Sequence, residues 1–133
     1  MEPISDLETL LAGMQPHLDD GRYVFVTVPA GVELDPQRIV ASIREKEGLS
    51  VILPEETAQQ LGLSAGFVAA WITLTVYSDL EAVGLTAAVS TALAQAGISC
   101  NVVAGTQHDH LFVPFDRARE AMAVLHALSR ARG

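Results

Sequence analysis

Gly84-Leu85-Thr86-Ala87-Ala88-Val89-Ser90-Thr91-Ala92-Leu93-Ala94-Gln95-Ala96-Gly97 is the most strongly helical stretch of this chain. Alanine supplies propensity, Leu85, Val89, Leu93 and Ala96 recur along one helical face, and Gly97 suits the left-handed close of a helix. Upstream, Trp71-Ile72-Thr73-Leu74-Thr75-Val76-Tyr77 is β-branched and aromatic and predicts a strand. Downstream, residues 98–104 and 108–114 predict two further strands around the turn Gly105-Thr106-Gln107. A last helix follows, with Asp116 as its cap and Ala118, Met122, Leu125 and Leu128 facing inward. Strand, helix, strand, strand, helix is most of an α+β, ferredoxin-like βαββαβ layout, an antiparallel sheet with helices on one face.

The first half of the chain repeats part of this order. Ser5-Asp6-Leu7-Glu8 reads as a capping box opening a short helix with Leu7, Leu10, Leu11 and Met14 on its buried face, stopped by Pro16. Asp19-Asp20-Gly21 turns into a strand at Tyr23–Val28, and residues 39–45 and 49–53 predict two more strands. Pro54 suits a first helical position, with Glu55 and Glu56 favouring the helix dipole, Ala58 and Leu61 inward and Gly62 at the C-terminal end. Val51-Ile52-Leu53-Pro54-Glu55-Glu56-Thr57-Ala58 echoes Leu111-Phe112-Val113-Pro114-Phe115-Asp116-Arg117-Ala118, and Val26-Thr27-Val28 echoes Leu74-Thr75-Val76. Two related halves are expected, 1–65 and 66–133, the first degenerate because its first helix has shrunk to the region of residues 35–40.

Composition narrows the function. The chain has 133 residues, enough for one domain or two very small ones, and half of it (50%) is hydrophobic, so it can bury a core. Sixteen acids against eight Lys plus Arg give a net charge of −8, which argues against nucleic acid as a partner. The stretch 82–109 is poor in charge, but polar residues and Gly97 interrupt it, so no membrane span is expected. The acidic N-terminus has no signal-peptide pattern, and Cys100 is the single cysteine, so a cytoplasmic protein without a disulfide is expected.

Glu81-Ala82-Val83-Gly84-Leu85-Thr86, followed by Ala92 to Asn101, resembles the ACT domain, a small ligand-binding module of amino-acid metabolism. Including Ile43–Leu49, 71–75 and 97–114, most of the chain is similar to short, stand-alone bacterial ACT proteins of unassigned function. The resemblance implies a non-catalytic sensor without a cofactor that binds a small molecule, an amino acid above all, at a subunit or repeat interface. With no fused catalytic domain expected, it would report to another protein, as a homodimer or higher homo-oligomer with a continued sheet.

Carried onto this chain, the resemblance nominates Asp79, Glu81, Val83, Gly84, Leu85 and Thr86 on the loop, and Asn101 and Val102 on the strand. Gly84 would let helix amides approach a carboxylate, while Asp79 and Glu81 would meet an α-amino group. Alternatively, Ser78 and Glu81 form a second capping box, and Gly84 merely turns the loop or lets the helix pack. His108 lies at the edge of this loop and can contact the same ligand. Two further readings stay open. His108 and His110 could share a face and hold a metal in an enzyme, needing His17 or His126 besides, or the fold could serve as a structural adaptor without a ligand. Cys100 reads as a small buried hydrophobe.

Overall fold

A computed structural model describes Pro3 and residues 6–131, so Ser5 of the expected capping box lies outside the described residues. The elements are α1 (Leu7–Gly13), β1 (Pro16–Leu18), β2 (Tyr23–Val28), β3 (Ala41–Glu45), β4 (Gly48–Pro54), α2 (Glu55–Gln60), β5 (Val68–Leu74), α3 (Leu85–Gln95), β6 (Asn101–Ala104), β7 (Asp109–Pro114) and α4 (Ala118–Arg130). Two compact units emerge: Gly21–Ala69, and the residues up to Asp20 joined with those from Ala70 onward. Among the described residues, no helix is long and apolar enough to cross a membrane.

In the unit spanning 21–69, β2 pairs antiparallel with β4 along its whole length, from Tyr23↔Pro54 to Val28↔Leu49. It also pairs through Tyr23 and Val24 with Ala69 and Val68 of β5, and β3 lies outside β4. Alternation along β2 and β4 sends Val24, Val26, Val51 and Leu53 into one core with Ala58 of α2. Leu61, expected inward, is 37% exposed, because it is the C-cap rather than a helical position. Gly62 (φ +70) and Leu63 close α2 by donating to the carbonyls of Gln59 and Ala58 (3.0 and 2.9 Å).

The other unit is the ferredoxin-like one, and its order from β5 to α4 is the strand–helix–strand–strand–helix expected. β5 pairs with β7, and β7 with β6. The fourth strand is β1, antiparallel to β5 (Pro16↔Leu74 to Leu18↔Ile72). Pro16 therefore does not merely stop α1; it begins a strand. Helices α1, α3 and α4 pack on one another, which places them in a single layer. Beneath them Ile72, Leu74, Leu111 and Val113 meet Leu10, Leu11, Leu85, Val89, Leu93, Ala121 and Leu125, all nearly or wholly buried.

The element ends depart from the sequence expectation for identifiable reasons. Asp6 caps α1, accepting from the Thr9 amide (3.0 Å). At α4 the expected Asp116 cap is absent: Phe115–Arg117 forms a 3-10 turn, and the helix begins without a side-chain cap. β5 runs from Val68 to Leu74 rather than to Tyr77, and β6 starts at Asn101 because the close of α3 consumes the residues before it. There Gly97 (φ +74) and Ile98 donate to the carbonyls of Ala94 and Leu93 (2.9 and 3.0 Å). The repeat is visible in the backbone: Pro54 (φ −54, ψ 138) and Pro114 (φ −53, ψ 133) each end a strand and open a helical turn in the same conformation.

Candidate functional site

The segment from β5 to α3 turns back on itself before the helix begins. Asp79 Oδ1 accepts from the Glu81 amide (3.0 Å), and the Asp79 carbonyl accepts from the Ala82 amide (2.9 Å), an Asx-type turn. Ser78 and Glu81 therefore do not box a helix start, which comes at Leu85. Gly84 is the N-cap, at φ +106 and ψ −19, without a side-chain cap bond. A Cβ placed on Gly84 would stand 2.9 Å from Leu7 Cδ2 of α1. Both the left-handed backbone and the seat for Leu7 require glycine here. The first helical bond runs from the Ala88 amide to the Gly84 carbonyl (2.8 Å), so the amides ahead of Ala88 in this turn have no acceptor within the helix.

This turn, the start of α3 and the facing ends of β6 and β7 form a cleft of about 140 Å³. Ser78, Asp79, Leu80, Ala82, Gly84, Leu85, Thr86, Ala104 and Asp109 line it. Of the residues nominated from sequence, Asp79, Gly84, Leu85 and Thr86 come together there. Glu81, Asn101, Val102 and His108 are not among the lining residues, and Val83, on the adjoining loop, is 83% exposed. Asp109 and Ser78 are additions. Asp109 opens β7 opposite the helix N-terminus, and its half-burial pushes the carboxyl above the ordinary carboxylate range, against the pull of His110 and His108. A larger, more open depression of about 360 Å³, between the end of β1 and the start of α4, carries none of the nominated residues.

His108 and His110 engage different partners. Trp71 Nε1 lies 3.0 Å from His110 Nδ1, with Thr73 Oγ1 at 3.1 Å from the same nitrogen. An indole N–H can only donate, so Nδ1 is the bare nitrogen and the neutral ring carries its proton on Nε2. Burial, aided by His108, lowers the His110 pKa and keeps the ring neutral. Nε2 sits under Gly105, where a Cβ would approach it to 3.2 Å. His108 Nδ1 lies 3.4 Å from the Val76 carbonyl, and among the described residues no three His, Cys, Asp or Glu are grouped to hold a metal.

Burial pushes the Cys100 thiol up to about 11. Roughly one thiol in 10,000 is then ionised at neutral pH. Cys100 should resist Ellman's reagent in the native protein and react at once in denaturant; rapid native reaction would contradict its packing.

The solved structures show the same architecture. A Vibrio cholerae protein of unknown function, described as a possible transport protein, is 47% identical, with a TM-score of 0.82 over 92% of this chain and 95% of that one. The ligand-free regulatory subunit of aspartate kinase from Thermus thermophilus is 11% identical, with a TM-score of 0.62 over 85% of this chain and 95% of that one. Aspartokinase III from E. coli, in complex with aspartate and ADP, is 12% identical, with a TM-score of 0.58 over 85% of this chain and 32% of that one. None of the curated proteins matches the chain. Residues 2–70 and 67–127 each match an ACT domain model, and the chain therefore belongs to the ACT domain family, with two such modules in succession.

Proposed function

We propose that this protein is a non-catalytic regulator that binds a free amino acid in the cleft at the N-terminus of α3. The observation that carries this reading is the chemistry of the cleft walls. Unpaired amides and the positive end of an 11-residue helix stand on one side, and the Asp79 and Asp109 carboxylates complete the same cleft. Amides suit an α-carboxylate and carboxylates suit an α-ammonium, so both ends of a zwitterion find a partner. The family supports the reading, since ACT domains generally bind amino acids in regulation. Drug-sized ligands occupy roughly 300–1,000 Å³, and a smaller cleft suits a smaller metabolite.

One site per chain is expected. In the half spanning 1–65, the counterpart of α3 is the single 3-10 turn Pro36–Arg38, too short to present a helix N-terminus to a ligand. The half spanning 66–133 holds the site. Leu80 (64% exposed) and Val83 (83% exposed) flank the cleft, and we assign them to contact with a second copy in a homodimer. Binding would then stabilise one arrangement of copies over another and report the cytoplasmic amino-acid level to a further protein.

Thermal unfolding against a millimolar panel of the common amino acids tests this. A ligand that binds only the native state adds about 2.7 kcal/mol at 100 times its dissociation constant, a shift of several degrees for a chain of this size. One or a few amino acids should raise the midpoint selectively, with one equivalent bound per chain by calorimetry. A flat panel over a cooperative transition would overturn the reading in favour of a ligand-free adaptor.

A further inference from the structure

Building on that reading, we infer that the cleft takes a small neutral amino acid and excludes the dicarboxylic ones. Charge is the first ground. The lining residues include two carboxylates, Asp79 and Asp109, and no Lys or Arg. The amides of α3 can neutralise one carboxylate, the α-carboxylate of the ligand. A second carboxylate on the ligand side chain would lie beside Asp79 or Asp109 with no cation to offset it, and like charges brought together discriminate strongly.

Size is the second ground, since about 140 Å³ between Leu80, Ala82, Leu85 and Ala104 admits a hydrogen, a methyl or a hydroxymethyl side chain more readily than a long one.

Ser78 is the third. It is only 7% exposed, it lines the cleft, and no hydrogen bond among the described residues engages its hydroxyl. Among the described residues no buried side-chain oxygen lacks a partner, so this hydroxyl still reaches solvent, and a ligand in the cleft can take the place of water on it as donor or acceptor. Ser78 is thus a specificity-determining residue for the bound amino acid.

The test is titration calorimetry at neutral pH of the parent protein and of Ser78→Ala with glycine, alanine, serine, aspartate and glutamate, with the unliganded melting midpoint of each. Aspartate and glutamate should bind the parent at least about tenfold more weakly than the best neutral ligand. Ser78→Ala should weaken that ligand about 3- to 10-fold while its own midpoint stays level or rises, because the hydroxyl lost had no partner within the described chain. Aspartate or glutamate binding as tightly as the neutral ligands would overturn the selectivity and leave amino-acid binding intact. An unchanged affinity in Ser78→Ala, or a lowered midpoint, would remove Ser78 from ligand recognition. Silence from all five ligands, and from the wider panel, would overturn the underlying reading itself.

Discussion

Gly84→Val should unfold about 10 °C below the parent. Two costs combine. The backbone at Gly84 has φ +106, and forcing a β-branched residue into such a conformation costs about 1–3 kcal/mol. The new Cβ would also stand 2.9 Å from Leu7 Cδ2, and overpacking of that kind costs about 1–3 kcal/mol more. Against a total stability of about 5–15 kcal/mol this is a large fraction. The two terms separate in a double-mutant cycle with Leu7→Ala, which removes the clash and leaves the backbone strain. The pair should therefore be less destabilised than the sum of its parts. A Gly84→Val protein that melts with the parent would show that the turn before α3 is not held as described. Because the substitution strikes packing and backbone together, it cannot isolate a ligand contact, and Asp109 serves that purpose instead.

Asp109→Asn should lose amino-acid binding while gaining stability. The asparagine keeps the size of the side chain and removes the charge that an ammonium would meet; hydrogen bonds to charged groups are worth about 1.5–3 kcal/mol, so affinity should fall roughly 10- to 150-fold. The unliganded protein should melt at or above the parent, because half-burial disfavours the ionised carboxyl. The pH dependence follows from the sign of that shift. A carboxyl with its folded-state pKa raised holds its proton more tightly in the native state than in the unfolded one. Its destabilising contribution is therefore fully present at neutral pH and is relieved as pH falls through the raised pKa. The stability gain of Asp109→Asn should shrink on acidification through that raised pKa, and ligand binding by the parent should weaken in the same window. His110, whose pKa burial lowers, titrates in both proteins, so the difference between them isolates Asp109 to first order. Equal affinity in the two proteins would remove Asp109 from the site.

Much of this architecture is legible in the residues because burial there follows a simple period. Leu85, Val89 and Leu93 sit one above another, and all three are buried; Tyr23–Val28 is a β-branched and aromatic run and forms a strand with those bounds. What the sequence hides is set by contacts distant along the chain. β1 has only three residues, the first a proline, and nothing local marks it as a strand; its partners are Ile72 to Leu74, more than fifty positions away. Asp116 is a good cap by type, but the chain leaves β7 through Pro114 into a 3-10 turn, so the capping position falls on Arg117.

The cleft is half legible for the same reason. Asp79, Gly84, Leu85 and Thr86 are contiguous enough for a motif to gather them. Asp109 enters from the facing end of another strand, and in the pattern His108-Asp109-His110 the histidines draw attention to themselves and away from it. Ser78 and Glu81 have the spacing of a capping box, yet the Asx turn at Asp79 delays the helix until Leu85 and leaves Ser78 on the cleft wall.

The supply of β1 from the beginning of the chain has a consequence for how the protein is made. Residues 21–69 are contiguous and can collapse around Val24, Leu53 and Ala58 as soon as they leave the ribosome. Leu10 and Leu11, wholly buried in the finished protein, have no core to enter until the residues from 70 onward have been synthesised. Until then the apolar face of α1 is without its seat, and loss of either α1 or α4, far apart in the sequence, strikes the same core.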